Sequence, residues 1–266
     1  MSKETTSKTI AVALGVCLVC SVLVSAAAVS LKGRQEENKQ LDKLKNILVV
    51  GGLYTPAADL EKTFRDNIQP RIVDLAKGRI LPPERQDAVL NRDDFDIKKV
   101  AASPLYGQAI PAGQDIAGIK RQPKYMVVYN LVQNDEVQKI ILPVYGKGLW
   151  STMYGFIALG RDFTTVEGFS FYEHGETPGL GGEVDNPRWK RLWIGKKAFD
   201  GQGNLAIEVI KGTVDPAGPR AGYRIDGLSG ATLTTRGVNH LIRFWLGDSG
   251  YGPYLAKLRQ EQEAKK

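Results

Sequence analysis

Cysteine is nearly missing from this 266-residue chain, and its two examples, Cys17 and Cys20, both fall inside the first apolar run. The remainder is cysteine-free, which excludes an intrachain disulfide framework and a thiolate metal site there and leaves the redox compartment open. Histidine occurs only twice, as His174 and His240. No GxGxxG follows a strand into a helix with an acidic residue about 20 positions on, so NADH binding by the chain itself is not supported. GxxxxGK[ST] and HExxH are absent, and Ser229 stands in LSGAT, which is not the GxSxG elbow of a hydrolase. The 36 basic residues exceed the 29 acidic ones by enough to give a formal charge of +7. They are scattered among acids without an aromatic-interleaved stripe, which argues against nucleic acid as a partner. No internal repeat is visible. Apolar residues at 42% and charged residues at 24% suit one good-sized folded domain with appendages.

What is present begins with residues 10–31, a run of about 22 residues without charge, long enough as a helix to cross a hydrocarbon core of ~30 Å. Lys8 and Lys32 bracket it. Ser25, Ala26, Ala27 and Ala28 also offer the small-residue site of a cleaved signal peptide. The run is longer than a typical signal core and continues into a charged helical stretch, so a retained anchor is expected. Lys3 and Lys8 precede the span, whereas Lys32, Arg34, Lys39, Lys43 and Lys45 follow it. By charge alone the following domain stays in the cytoplasm, although long domains translocate largely regardless of such charges. Cys17 and Cys20 share one helix face at i, i+3, where they read as small packing residues of a membrane helix.

The expected organisation is a tail over residues 1–9, the span over 10–31, and a juxtamembrane helix with the first part of a domain over 32–123. A core over 124–250 and a tail over 251–266 complete it. Leu41, Leu44, Ile47 and Leu48 place one apolar side on a helix over residues 35–53, ended by Gly51 and Gly52. A short helix over 59–68 closed by Pro70, a strand over 71–75 and a turn at Lys77 and Gly78 come next. Residues 82–118 read as irregular surface with one helix. From Lys124 the pattern turns strand-like, over 125–131, 137–144, 153–159, 166–172 and 205–210, with a turn at Asn134 and Asp135. Helices are expected over 187–192 and from Leu233 to Leu246, where Leu233, Val238, Leu241, Ile242 and Trp245 form one apolar face. Strand runs with helices to one side imply an α+β domain on a mixed, mostly antiparallel sheet.

Chemistry concentrates in three glycine-rich stretches. The first runs from Asp226 through Ser229, Gly230, Ala231 and Thr232 to Thr234 and Thr235, immediately before the last of those helices. A helix start there offers free N–H groups and the positive end of the macrodipole, a setting that favours a phosphate. Short hydroxyl–glycine clusters also serve simply as caps and turns. The second is GKGLWST, from Gly146 to Thr152, whose Trp150 is suited either to core packing or to flanking an aromatic ring system. The third, HGETPGLGGEVDNP, runs from His174 to Pro187 and exposes backbone N–H groups, the Thr177 hydroxyl and the apolar Leu180. His174 is assigned no role. Lys211 ends a strand, where it is either solvated or turned to a ligand.

DGLSGATLT resembles the flavinylation motif of covalent FMN proteins, in which the Thr closing SGAT is esterified to the FMN phosphate; here that residue is Thr232. ETPGLG, Glu176 to Gly181, is similar to a second motif of the same proteins. Nearly the whole chain up to about Pro253 resembles the C subunit of the sodium-translocating NADH:quinone reductase, with the G subunit of Rnf-type complexes as the nearest competitor. The resemblance implies a single N-terminal transmembrane helix and an FMN-binding domain on the periplasmic side of a bacterial inner membrane. It implies FMN held covalently at Thr232 and flanked by Ser229, Gly230 and Ala231. Thr177, Gly179 and Leu180 would line the ribityl chain and ring, with Trp150, Glu176 and Lys211 as further cofactor-binding candidates and no metal site. Expected partners are the other subunits of a six-subunit membrane reductase that passes electrons from NADH to ubiquinone and exports sodium, and a flavin transferase for maturation. An anchored binding domain without redox chemistry is the alternative from another class.

Overall fold

The computed structural model describes residues 5–264. Lys3, counted in the charge comparison, lies outside the described residues, as do Lys265 and Lys266. The chain divides into two units, with the boundary between Lys43 and Leu44.

One helix, α1 (Thr6–Gly51), enters both units. In the first unit its most apolar stretch has a mean hydropathy of 2.6 and is long enough to cross a membrane. Leu14, Leu18, Leu23 and Val24 are exposed there, as are both cysteines. In the second unit the helix end is core, with Ile47, Leu48 and Val50 buried. Its stop is a pair of closing bonds, Leu53 N–H to Leu48 O at 2.8 Å and Gly52 N–H to Val49 O at 3.1 Å. Gly52, at φ +78°, supplies the left-handed residue this termination requires.

Helix α2 (Leu60–Asn67) starts where the Asp59 side chain accepts the Lys62 N–H at 3.0 Å. It runs directly into β1 (Ile68–Asp74), so Pro70 does not close the helix as expected. Pro70 sits within the strand, opposite Tyr129 of the neighbouring strand. Proline is tolerated because β1 meets its other neighbour, β2 (Arg79–Ile80), only at Val73 and Asp74. The stretch expected as irregular holds α3 (Ile97–Ala102), capped by Asp96, and a small antiparallel pair, β3 (Gly107–Ala109) with β4 (Arg121–Pro123). The helix was expected; the two strands are too short to leave a periodic trace.

Four long strands follow: β5 (Tyr125–Gln133), β6 (Glu136–Lys147), β7 (Thr152–Gly160) and β8 (Val166–Glu173). The sheet order is β2-β1-β5-β6-β7-β8, with every neighbouring pair antiparallel. Asn134 and Asp135 make the β5–β6 turn with φ of 52° and 62°, the backbone that matches strand twist in a two-residue hairpin. Helix α4 (Pro187–Arg191) begins at an Asn186 cap. The strand expected over 205–210 shrinks to β9 (Glu208–Val209), paired in parallel with β10 (Arg224–Ile225). Alternation alone did not supply a partner long enough to extend it.

Helix α5 (Thr232–Leu246) packs Val238, Leu241, Ile242 and Trp245 into the core. The Trp245 indole N–H donates to Tyr145 O at 2.6 Å. Leu233 departs from the expected apolar face, for it is 52% exposed. Finally, α6 (Gly252–Glu263) occupies the stretch expected as a tail, with Tyr254 and Leu255 buried. Among the described residues the fold is therefore α+β, with a mostly antiparallel sheet and flanking helices.

Candidate functional site

β6 ends at Lys147 opposite Thr152, the first residue of β7, and β8 ends at Glu173 opposite Tyr154. The hairpin of Gly148 to Ser151 and the loop beginning at His174 therefore leave the sheet at the same end. Helix α5 delivers the third stretch to this place. Gly146 faces Leu241, where an added Cβ would come within 2.5 Å of the leucine Cβ. Only a glycine lets the helix lie this near the strand.

Glu176 joins all three stretches. Its carboxylate accepts the N–H groups of Leu149 at 3.2 Å, Trp150 at 3.0 Å and Ser151 at 3.3 Å, and the Thr234 hydroxyl at 2.6 Å. The hairpin answers in kind, since Ser151 Oγ accepts the Gly175 N–H at 2.6 Å. Burial pushes the Glu176 carboxyl upward, but the Thr234 hydroxyl and the Trp150, Ser151 and Leu149 N–H groups outweigh it and hold it below the ordinary carboxylate value.

His174, for which the sequence offered no use, supports this loop. Its Nδ1 accepts the Glu176 N–H at 3.2 Å, and its Nε2 lies 2.7 Å from Asp185 Oδ2. The hydrogen bond with Asp185 raises the imidazole pKa against the opposing effect of burial. Lys190 continues the chain, 3.4 Å from Asp185 Oδ1 and 3.2 Å from Ser170 Oγ.

The hydroxyls of the SGATLTT stretch divide into two kinds. Thr234 and Thr235 are buried, and the Thr235 hydroxyl accepts the Leu228 N–H at 2.9 Å. Ser229 and Thr232 are exposed. No side chain caps α5, whose first backbone bond runs from Thr235 N–H to Ala231 O at 2.9 Å. The N–H groups of Thr232, Leu233 and Thr234 are thus the orphan donors of a helix start. Gly230, at φ +73°, turns the chain just before them, and a Cβ there would lie 3.2 Å from Leu180 Cδ2. Gly179, at φ +75°, turns the facing loop, where the Thr177 carbonyl accepts the N–H groups of Leu180 at 3.1 Å and Gly182 at 2.8 Å.

The site candidates therefore fall into a group and an outlier. Ser229, Gly230, Ala231, Thr232, Glu176, Thr177, Gly179, Leu180 and Trp150 lie on loops joined by these bonds. Lys211 is exposed on the segment after β9, tied to the same region because Gly227 N–H donates to Gly212 O at 2.9 Å and Val214 N–H to Asp226 Oδ1 at 2.9 Å. Two residues were not among the sequence-predicted site residues, one of them, Leu233, because it was expected in the core face of the helix. Leu233 joins Trp150, 66% exposed, and Leu180, 46% exposed, as large apolar side chains left uncovered around the helix start. Arg236 is exposed one turn beyond Thr232 and makes no ion pair among the described residues. The i, i+4 spacing from Thr232 was the available signal for it.

An uncapped helix start beside a free hydroxyl, rimmed by uncovered Trp and Leu side chains, fits a ligand with an anionic end and a flat apolar body. FMN has that shape, and the donors and apolar surfaces present accommodate it.

Comparison with known proteins bears on this geometry. Residues 148–247 match the family described as FMN-binding domain, a range that contains all three stretches from Gly148 onward. The C subunit of the Na(+)-translocating NADH-quinone reductase of Pseudomonas aeruginosa is 48% identical over 262 residues, covering 97% of this chain and 98% of that protein. The Yersinia pestis protein of the same name is 45% identical, covering 97% and 95%. Among solved structures, Shewanella oneidensis NqrC superposes with a TM-score of 0.75 at 32% identity, covering 84% of this chain and 99% of that one. The equivalent protein from Parabacteroides distasonis gives 0.62 at 26%, covering 85% and 96%.

Proposed function

Because the chain belongs to the C-subunit family of the Na(+)-translocating NADH-quinone reductases, we propose that it is the subunit that relays electrons through FMN esterified to Thr232. The observation that carries this reading is the division of hydroxyls: Thr234 and Thr235 are buried and bonded, while Thr232 stands exposed at the first position of α5. Functional-group chemistry cannot choose among Ser229, Thr232, Thr234 and Thr235; access removes Thr234 and Thr235, and of the two exposed hydroxyls Thr232 is the one at the first position of α5 beside its free N–H groups.

Attachment would proceed on FAD, supplied by a separate flavin transferase. The Thr232 Oγ–phosphorus bond forms, the pyrophosphate P–O bond to AMP breaks, and the hydroxyl proton leaves as AMP departs. The diester that results carries one negative charge instead of the two of a free phosphate monoester. The N–H groups of Thr232, Leu233 and Thr234 would hold it together with the positive end of α5. Arg236 adds a cation on the same helix face. Trp150, Leu180 and Leu233 would cover the ring system, Thr177 and Gly179 the ribityl chain, and Lys211 the carbonyl edge where charge gathers on reduction. When bound, FMN supplies reversible carriage of single electrons. The covalent bond keeps it from being lost on the outer face of a membrane.

In this reading the uncharged part of α1 is a single-pass anchor in a bacterial inner membrane, with the second unit on the periplasmic side. The other members of an assembly of six subunits take electrons from NADH to ubiquinone and export sodium. The test is a denaturing gel viewed under ultraviolet light, followed by mass spectrometry of the fluorescent peptide. We expect an FMN adduct on Thr232 and its disappearance in a folded Thr232→Ala protein. An adduct on Ser229, Thr234 or Thr235 overturns the assignment.

A further inference from the structure

Glu176 is the acidic side chain that bonds to all three converging stretches, and the surrounding protein uses its whole acceptor capacity. A carboxylate has about four lone-pair sites. Here they meet the N–H groups of Leu149, Trp150 and Ser151 and the hydroxyl of Thr234. Backbone closes over it from two sides. A Cβ at Gly148 would stand 2.5 Å from Glu176 Oε1, and one at Gly181 would stand 2.9 Å from Oε2 and 2.5 Å from the Thr234 hydroxyl. Glu176 is 5% exposed, which leaves no surface for a ligand. A buried carboxylate would in any case repel the phosphate of a flavin.

The bond to Thr234 has a directional consequence. Residues two apart on a helix point about 200° from one another. Drawing Thr234 inward onto Glu176 therefore turns Thr232 outward, and the observed burial follows this: Thr234 is 1% exposed, while Thr232 is open to solvent. The same carboxylate fixes the backbone of Trp150. One group thus sets both the rotation of the helix start and the position of the facing hairpin.

We propose that Glu176 is a positioning residue and makes no contact with the cofactor: through Thr234 it fixes the rotation of α5 that presents Thr232, and through the hairpin N–H groups it fixes Trp150 against that presentation. The inference rests on the reading of Thr232 as the flavin-bearing residue.

The experiment uses the full chain produced with a flavin transferase and follows covalent flavin by in-gel fluorescence over time. Thr234→Val keeps the shape and removes the hydroxyl. Loss of a hydrogen bond to a charged group predicts attachment slowed roughly tenfold or more. The flavin that does attach should show a shifted visible absorption band, because the Trp150 hairpin is no longer fixed relative to it. Thr234→Ser, which restores the hydroxyl, should recover both rate and spectrum. Glu176→Gln keeps one oxygen for the Trp150 and Ser151 N–H groups but sets its amide NH2 against the Leu149 N–H, which loses its acceptor, so attachment should slow and the band shift in the same direction as in Thr234→Val. It also tests the proposal should Thr234→Val fail to fold. A folded Thr234→Val protein with normal rate and spectrum, an equal loss in Thr234→Ser, or a folded Glu176→Gln protein with normal rate and spectrum would each overturn the proposal. Absence of covalent flavin from the unaltered chain would instead overturn the reading on which it rests.

Discussion

Gly237 in α5 lies against the carbonyl oxygen of Lys147 at the end of β6, so near that a Cβ at position 237 would fall 2.5 Å from that oxygen. The contact is backbone to backbone, so neither side can move aside by changing a rotamer. It presses the first turns of α5 onto the strand that feeds the Trp150 hairpin. The glycine is therefore a spacer that sets the distance between two parts of the site.

Gly237→Ala tests that relation. Alanine favours an isolated helix by about 1 kcal/mol over glycine, whereas overpacking a fixed contact costs about 1–3 kcal/mol. Because the neighbouring atom is a carbonyl oxygen, the second effect should win. A lower urea midpoint is expected, and a higher one would show that the helix has room to lift.

Trp150→Ala and Leu180→Ala remove exposed side chains that touch little of the protein core, so each should change folding stability by less than about 0.5 kcal/mol. If they cover the flavin ring, covalent flavin remains while its absorption and midpoint potential shift. Unchanged spectra in both variants would remove the two residues from the site.

The depressed Glu176 carboxyl gives a pH dependence of known sign. Its folded value lies below its unfolded value, so its contribution to stability is complete above the ordinary carboxylate value and is lost as pH falls through the depressed one. Urea midpoints measured from pH 7 downward should fall less steeply at the acid end in Glu176→Gln than in the unaltered chain. Parallel acid limbs would contradict the ionised, four-donor arrangement.

Truncation separates the two roles of α1. Removing residues through Leu31 should release a soluble, folded domain, because the buried residues of the helix begin later. Removing residues through Gly51 strips Ile47, Leu48 and Val50 from the core and should cost several kcal/mol or abolish folding. Equal stability of the two truncated proteins would refute a structural role for the helix end. A mature protein beginning near Ala28 would refute the retained anchor.

Sequence alone determined what depends on neighbours in the chain. The uncharged stretch of α1, the stop at Gly52, the turn at Asn134 and Asp135, and the apolar strand runs from β5 to β8 are local patterns, and the structure contains each of them. The chemistry-bearing stretches were legible for the same reason, since glycines and hydroxyls at fixed spacing define a motif without reference to the rest of the fold. Tertiary structure decided the remainder. Pro70 entered a strand because β1 lacks a second neighbour there, and Leu233 stayed exposed although it fits the helical period, because the first turn of α5 buries Thr234 and Thr235 instead. Most of all, Ser229, Thr232, Thr234 and Thr235 are chemically alike. Thr234 and Thr235 are buried with bonds to Glu176 and Leu228 while Ser229 and Thr232 stay open, and no local pattern records a partner such as Glu176, 58 residues before Thr234.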